Sequence, residues 1–213
     1  MKDNTWFGPG AALLVIDVQN DFCPGGALAV PGGDAIVPKV NALVGGADLV
    51  VLTQDWHPRK HGSFASVHKG RAPFETVEMA YGPQTLWPDH CVQGTSGAAF
   101  HEELLTDRAA LVVRKGMRRE VDSYSAFFEN DRTTTTGLDG WLRARGVRRL
   151  LCCGLAFDFC VAYSALDARR LGFDVAVVGD ACAAIDLEGS RAAQAGAMTE
   201  AGVKLTDAAT LGV

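Results

Sequence analysis

Apolar positions along this chain gather in short dense runs, separated by stretches in which they recur every three or four residues. The runs are Ala11 to Asp17 (AALLVID), Asp48 to Thr53 (DLVVLT), Leu111 to Lys115 (LVVRK), Arg149 to Cys153 (RLLCC) and Phe173 to Val178 (FDVAVV). Such short apolar segments predict buried strands, and Val203 to Thr206 is a last candidate. Between them, Ile36, Val40, Leu43 and Val44 fall on one helical face, with Asp34 as cap and Gly45-Gly46 as stop. Leu138, Trp141 and Leu142 suggest a short helix closed by Gly146; Val161 to Leu171 reads as a helix ending at Gly172, and Ser190 to Glu200 as an Ala-rich one. Strands alternating with helices predict an α/β fold: a doubly wound, mostly parallel sheet of about six strands, helices on both faces, in a Rossmann-like three-layer arrangement.

In such sheets ligands bind beyond the carboxyl ends of the strands, near the switch in strand order. Asp17, Lys115 and Cys160 follow three of the predicted strands and so reach one rim. Residues 54–110 show little periodicity and are rich in Pro, Gly, His and Trp. A loop insertion of this length in a compact domain usually carries function. With no repeat or linker visible, residues 1–213 read as a single domain.

Composition narrows the class. The 213 residues are 48% apolar and 21% charged, with a net charge of −5, as in an ordinary soluble globular protein. No basic block favours nucleic acid or an anionic membrane. No window reaches the roughly 18 apolar residues of a membrane span, and the first residues (MKDNTWFGP) lack the apolar stretch of a signal peptide, so the expected address is the cytoplasm. The expected partner is a small molecule, and symmetric homo-oligomers are common at this size.

Six cysteines are present. Most free cysteines are buried and inert, and Cys23, Cys152, Cys153 and Cys182 fit that description. Cys160 differs. In CCGLAFDFCV it follows a strand and opens a helix, where the dipole and unpaired N–H groups favour a thiolate and can receive an oxyanion. A nucleophilic thiol needs a proton acceptor. No histidine follows residue 101; a carboxylate such as Asp17 can serve instead, oriented by a lysine such as Lys115, although a strand-end cap and a solvated surface charge explain the same two residues.

All five histidines lie between residues 57 and 101. Asp55-Trp56-His57 sets two ligand-type side chains two apart, on the same side of an extended backbone. Trp87-Pro-Asp-His90 adds an imidazole in a rigid turn. One carboxylate with two imidazoles suits zinc, iron(II) or manganese; a solvated polar loop explains the same residues equally well. His61 is a weaker candidate ligand, and His68 and His101 read as ordinary polar residues.

Together these segments resemble the nicotinamidase branch of the isochorismatase-like cysteine hydrolases. The matching runs are DVQNDF at Asp17–Phe22 with Cys23-Pro-Gly-Gly26, TQDWHP at Thr53–Pro58, HGSF at His61–Phe64, LWPDHCVQGT at Leu86–Thr95, Lys115-Gly116, DSYSAF at Asp122–Phe127 and GLAFDFCV at Gly154–Val161. The resemblance implies a catalytic triad of Asp17, Lys115 and Cys160, and one divalent metal ion, zinc first, held by Asp55, His57 and His90. Ser66 stands where some members have a further ligand or water-holding group. Phe22 and Trp87 match aromatic residues flanking a pyridine ring; Tyr124 and Gln19 join them as implied substrate contacts. A cis peptide at Leu155–Ala156 is also implied, with the Ala156 and Cys160 N–H groups as oxyanion hole. The implied reaction converts nicotinamide to nicotinic acid and ammonia through a thioester, in NAD salvage, and extends to pyrazinamide. Two other readings remain: a related amidohydrolase acting on carbamoyl or ureido compounds, and a non-enzymatic metal-binding or redox-sensing protein.

Overall fold

The run AALLVI forms β1 (Ala11–Ile16), buried at every residue because neighbouring layers cover both of its faces. The structure, a computed structural model, describes residues 4–213. After β1 come α1 (Val37–Gly46), β2 (Val50–Asp55), β3 (Thr76–Met79), β4 (Gly82–Thr85), β5 (Ala109–Lys115), α2 (Leu138–Ala144) and β6 (Arg149–Leu155), then α3 (Ala162–Arg170), β7 (Asp174–Ala183), α4 (Ser190–Glu200), β8 (Lys204–Thr206) and α5 (Ala208–Leu211). Six strands form one sheet in the order β5-β2-β1-β6-β7-β8, and every neighbouring pair is parallel. The α/β class and the doubly wound sheet are as the sequence predicts. No helix among the described residues is long and apolar enough to cross a membrane.

Alternation along β1 divides the core in two. Leu13 and Val15 pack with Val40 and Leu43 of α1 on one face, while Leu14 and Ile16 pack with Leu142 of α2, Ala165 of α3 and Met198 of α4 on the other. The same alternation parts the adjacent cysteines of β6: Cys153 enters the first core and Cys152 the second. Strand order reverses between β1 and β6, so the crevice at the carboxyl ends of these two strands is the switch point.

Several local readings change. Asp34 does not cap α1 with its side chain. Ile36 is the capping residue, and the Asp34 carbonyl accepts from Val37 N–H. Residues 54–110 are more ordered than a loop: β2 runs on to Asp55, and β3 and β4 form an antiparallel hairpin with Gln84 buried. That hairpin offers little buried apolar face, so hydrophobic periodicity could not announce it. Cys160 does not open an α-helix. It lies in a π-helical turn, Phe157–Val161, that precedes α3. The peptide Leu155–Ala156 is cis.

Gly154 ends the run of β6 beside β1. Its φ of +118° suits glycine, and a Cβ there would sit 2.1 Å from the Ile16 carbonyl oxygen. Gly154→Ala is therefore expected to destabilise the fold by on the order of 3 kcal/mol, read as a lowered denaturation midpoint; an unchanged midpoint would show that β1 and β6 can part at no cost.

Candidate active site

The chain reaches its most crowded polar point where β1, β5 and the turn after β6 meet. Asp17 leaves β1 with φ +48°, a left-handed conformation that turns its side chain into the crevice. Thr53 of β2 holds it there: Thr53 Oγ1 accepts from Asp17 N–H at 3.2 Å and donates to Asp17 Oδ1 at 2.6 Å. Lys115, the last residue of β5, is buried with its ammonium 2.8 Å from Asp17 Oδ2, 2.9 Å from the Ser123 carbonyl and 3.3 Å from Cys160 Sγ. It also pairs closely with Asp55 Oδ1.

Burial sets the protonation of this group, modified by its own charges. Desolvation pushes Asp17 up to about 6, with Lys115 opposing and Asp55 assisting. Desolvation also drives the Cys160 thiol well above its ordinary value; Lys115 opposes, and both carboxylates reinforce. This corrects the expectation of a thiolate favoured by a helix terminus. These surroundings favour the neutral thiol, which needs a base to react. Lys115 is held charged: desolvation lowers its affinity for a proton, and Asp17 and Asp55 more than restore it. A thiol, a carboxylate poised near neutrality and a fixed ammonium are the parts needed for acyl transfer through a thioester.

Asp55, His57 and His90 stand beside this group, all buried, each with a ligand-type atom within 4.8 Å of the others. His57 Nδ1 lies 3.0 Å from the Gly116 carbonyl, and His90 Nδ1 lies 2.8 Å from the Pro88 carbonyl. A carbonyl only accepts, so each Nδ1 carries a proton and each Nε2 is turned toward Asp55 Oδ2, at 3.6 and 3.9 Å. Charge points the same way. One buried ammonium against the two carboxylates Asp17 and Asp55 leaves a negative charge that a cation would offset. The donor set fits a divalent metal ion with open positions.

Two weaker ligand candidates are not in this set. His61 has both nitrogens engaged, Nδ1 with Ser63 Oγ at 2.7 Å and Nε2 with the Arg118 carbonyl at 2.8 Å. Ser66 is exposed and donates to Asp89 Oδ1 at 2.5 Å. Gln19, expected against substrate, is fully buried away from the recess. Its Nε2 donates to the carbonyls of Asp55 and Ala98, and its Oε1 accepts from Asp55 N–H at 2.8 Å. It fixes the backbone of Asp55 instead.

Cys160 and the three donors open on one recess whose lining includes Phe22, Trp87, Tyr124 and Ala156. Trp87 meets Phe159 edge to face at 4.9 Å, and its Nε1 donates to Tyr124 Oη at 3.1 Å. Sequence reasoning missed Leu28, Asp122, Phe159 and Ile185, which also line the recess. Two of them carried a signal: Phe159 precedes Cys160, and Asp122 opens the DSYSAF run.

Gly116 joins the two groups. A Cβ there would lie 2.4 Å from His57 Cε1, so the imidazole has to move if one is added. Gly116→Ala is expected to lower divalent-metal affinity on the order of 10- to 100-fold, measured by metal titration. Affinity equal to that of the parent would remove His57 from the ligand set.

Comparison with known proteins agrees with this geometry. Residues 11–210 match the isochorismatase domain. A nicotinamidase of Acinetobacter baylyi is 54% identical over 179 residues, 84% of each chain. A solved nicotinamidase/pyrazinamidase of Acinetobacter baumanii superposes with a TM-score of 0.95 at 50% identity, covering 96% of this chain and 99% of that one. The pyrazinamidase of Pyrococcus horikoshii, solved in complex with zinc, gives a TM-score of 0.74 at 38% identity over 93% of this chain and 99% of its own. Matched in sequence and fold over nearly its whole length, the chain belongs to the isochorismatase family, in the branch that holds the nicotinamidases.

Proposed function

We propose that this chain hydrolyses nicotinamide to nicotinic acid and ammonia through a thioester on Cys160, with a zinc ion held by Asp55, His57 and His90. The observation that carries the reading is convergence: the thiol and a three-donor metal set open on one recess lined by aromatic rings, and the buried Lys115 ammonium touches both the thiol and the Asp17 carboxylate. The names of the A. baylyi and A. baumanii relatives support the reaction, and the zinc complex of the P. horikoshii protein supports the metal.

The residues divide the work as follows. Phe22, Trp87 and Tyr124 enclose the pyridine ring. Asp55, His57 and His90 would hold a divalent ion, which would supply a Lewis-acid anchor for a ring nitrogen. Asp17 accepts the thiol proton as Cys160 Sγ bonds to the amide carbon, and the Ala156 and Cys160 N–H groups receive the oxyanion. The C–N bond breaks as Asp17 returns that proton to the departing nitrogen, which leaves as ammonia. Asp17 then takes a proton from water as its oxygen attacks the thioester, and the Cys160 thiol is restored. Lys115 keeps Asp17 oriented throughout and offsets charge developing on sulfur. The reaction returns the pyridine ring to NAD synthesis.

Cys160→Ala is expected to abolish release of ammonia from nicotinamide, by at least about a thousandfold, with metal content unchanged. Substantial remaining turnover would exclude a thioester at this position. His90→Ala, or chelation of the native protein, is expected to remove the ion and most activity. Added zinc should restore the chelated native protein and leave the variant inactive; full activity in a metal-free sample would overturn the metal assignment. Pyrazinamide, which keeps the ring nitrogen and the amide, should be hydrolysed by the same preparation.

A further inference from the structure

Asp158 lies two residues before Cys160, in the same π-helical turn, and its side chain faces away from the reacting groups. It is 1% exposed and fully engaged. Its Oδ1 accepts from Ile185 N–H at 3.0 Å; its Oδ2 accepts from Asp186 N–H at 2.7 Å and from Ser190 Oγ at 2.5 Å. These donors belong to the segment that leaves β7 and enters α4, about thirty residues further along the chain.

That segment is costly to hold in shape. Asp186 has φ +57° and Glu188 φ +52°, so two non-glycine residues in three occupy the left-handed region. Such conformations persist only where the surroundings impose them. Here the imposing group is a buried carboxylate taking two consecutive backbone N–H groups, and hydrogen bonds to a charged acceptor are among the strongest a fold makes. The segment also lines the site: Ile185 faces the recess together with Ala156, Phe159 and Cys160. One carboxylate thus ties the turn carrying the thiol to a wall of the pocket facing it.

We propose that Asp158 is a positioning residue that sets the width of the substrate pocket. It touches no substrate atom. By fixing the Ile185 and Asp186 amides to the Cys160 turn, it holds the Ile185 side chain at a set distance from the nucleophile, and so admits an unsubstituted six-membered aromatic amide while excluding rings with further substituents. The inference rests on the amidohydrolase reading above for its substrate, and on the hydrogen bonds alone for its mechanics.

The test compares Asp158→Asn, Ile185→Ala and the double variant, assayed with nicotinamide and with a ring-methylated nicotinamide. Asp158→Asn is expected to raise KM for nicotinamide on the order of tenfold with kcat within a few-fold, and to improve kcat/KM for the methylated ring. Ile185→Ala should do the same, and adding Asp158→Asn to it should change little further, because both act through one wall. Ser190→Ala, which removes a single donor and leaves the backbone contacts, should give a smaller shift in the same direction and stands in if Asp158→Asn does not fold. Hydrogen exchange at the Ile185 and Asp186 amides should be slow in the parent and faster in Asp158→Asn. A fall in kcat with KM unchanged, additive effects in the double variant, or amide exchange unaltered by Asp158→Asn overturns the proposal. If the parent releases no ammonia from nicotinamide, the proposed reaction fails, and the exchange measurement alone decides for or against the clamp.

Discussion

The site depends on one buried cation. The Lys115 ammonium, at the end of an edge strand, is enclosed by Asp17, Asp55, the Ser123 carbonyl and Cys160 Sγ. Taking an ammonium and two carboxylates out of water costs several kcal/mol per ion, and only close mutual contact offsets the cost. Everything around it serves that contact. Thr53 fixes one carboxylate from the neighbouring strand, and Gln19 fixes the backbone of the other. The parallel sheet brings these residues together from β1, β2 and β5, whose carboxyl ends share one rim.

The same enclosure explains how a thiol can be both protected and usable. Burial favours the protonated form of Cys160, and the thiolate is the form most open to oxidation. Asp17, the proposed proton acceptor, is itself pushed up to about 6 by burial. The proposed nucleophile and base are thus tuned by the same dry surroundings. The helix-terminus field that the sequence suggested is not needed for this.

Much of this was legible beforehand, for physical reasons. Strands covered on both faces read as apolar runs, so β1, β2 and β6 stand out, and their ends locate Asp17 and Cys160. Asp55, His57 and His90 were readable because ligand-type residues clustered in a segment with little else to recommend it. What stayed hidden depends on which partner each side chain meets. Nothing in the sequence tells that both ends of the Gln19 amide are consumed by backbone, or that His61 spends its nitrogens on Ser63 and Arg118. The β3–β4 hairpin lacks a buried apolar stripe, and FDFCV reads as the start of an ordinary helix until its wider turn is seen. Asp158, placed between two phenylalanines, looks like a common acidic residue at a helix start.

Lys115 and Gly116 are consecutive, yet they serve different centres: the lysine side chain holds the carboxylates around the thiol, and the glycine carbonyl orients His57. Two consecutive residues therefore serve the proposed hydrolytic group and the proposed metal donors in turn. Backbone drift at this point would therefore disturb both centres at once. A relative without the histidines would have no imidazole to orient at this point, and the position after its lysine should then accept residues other than glycine.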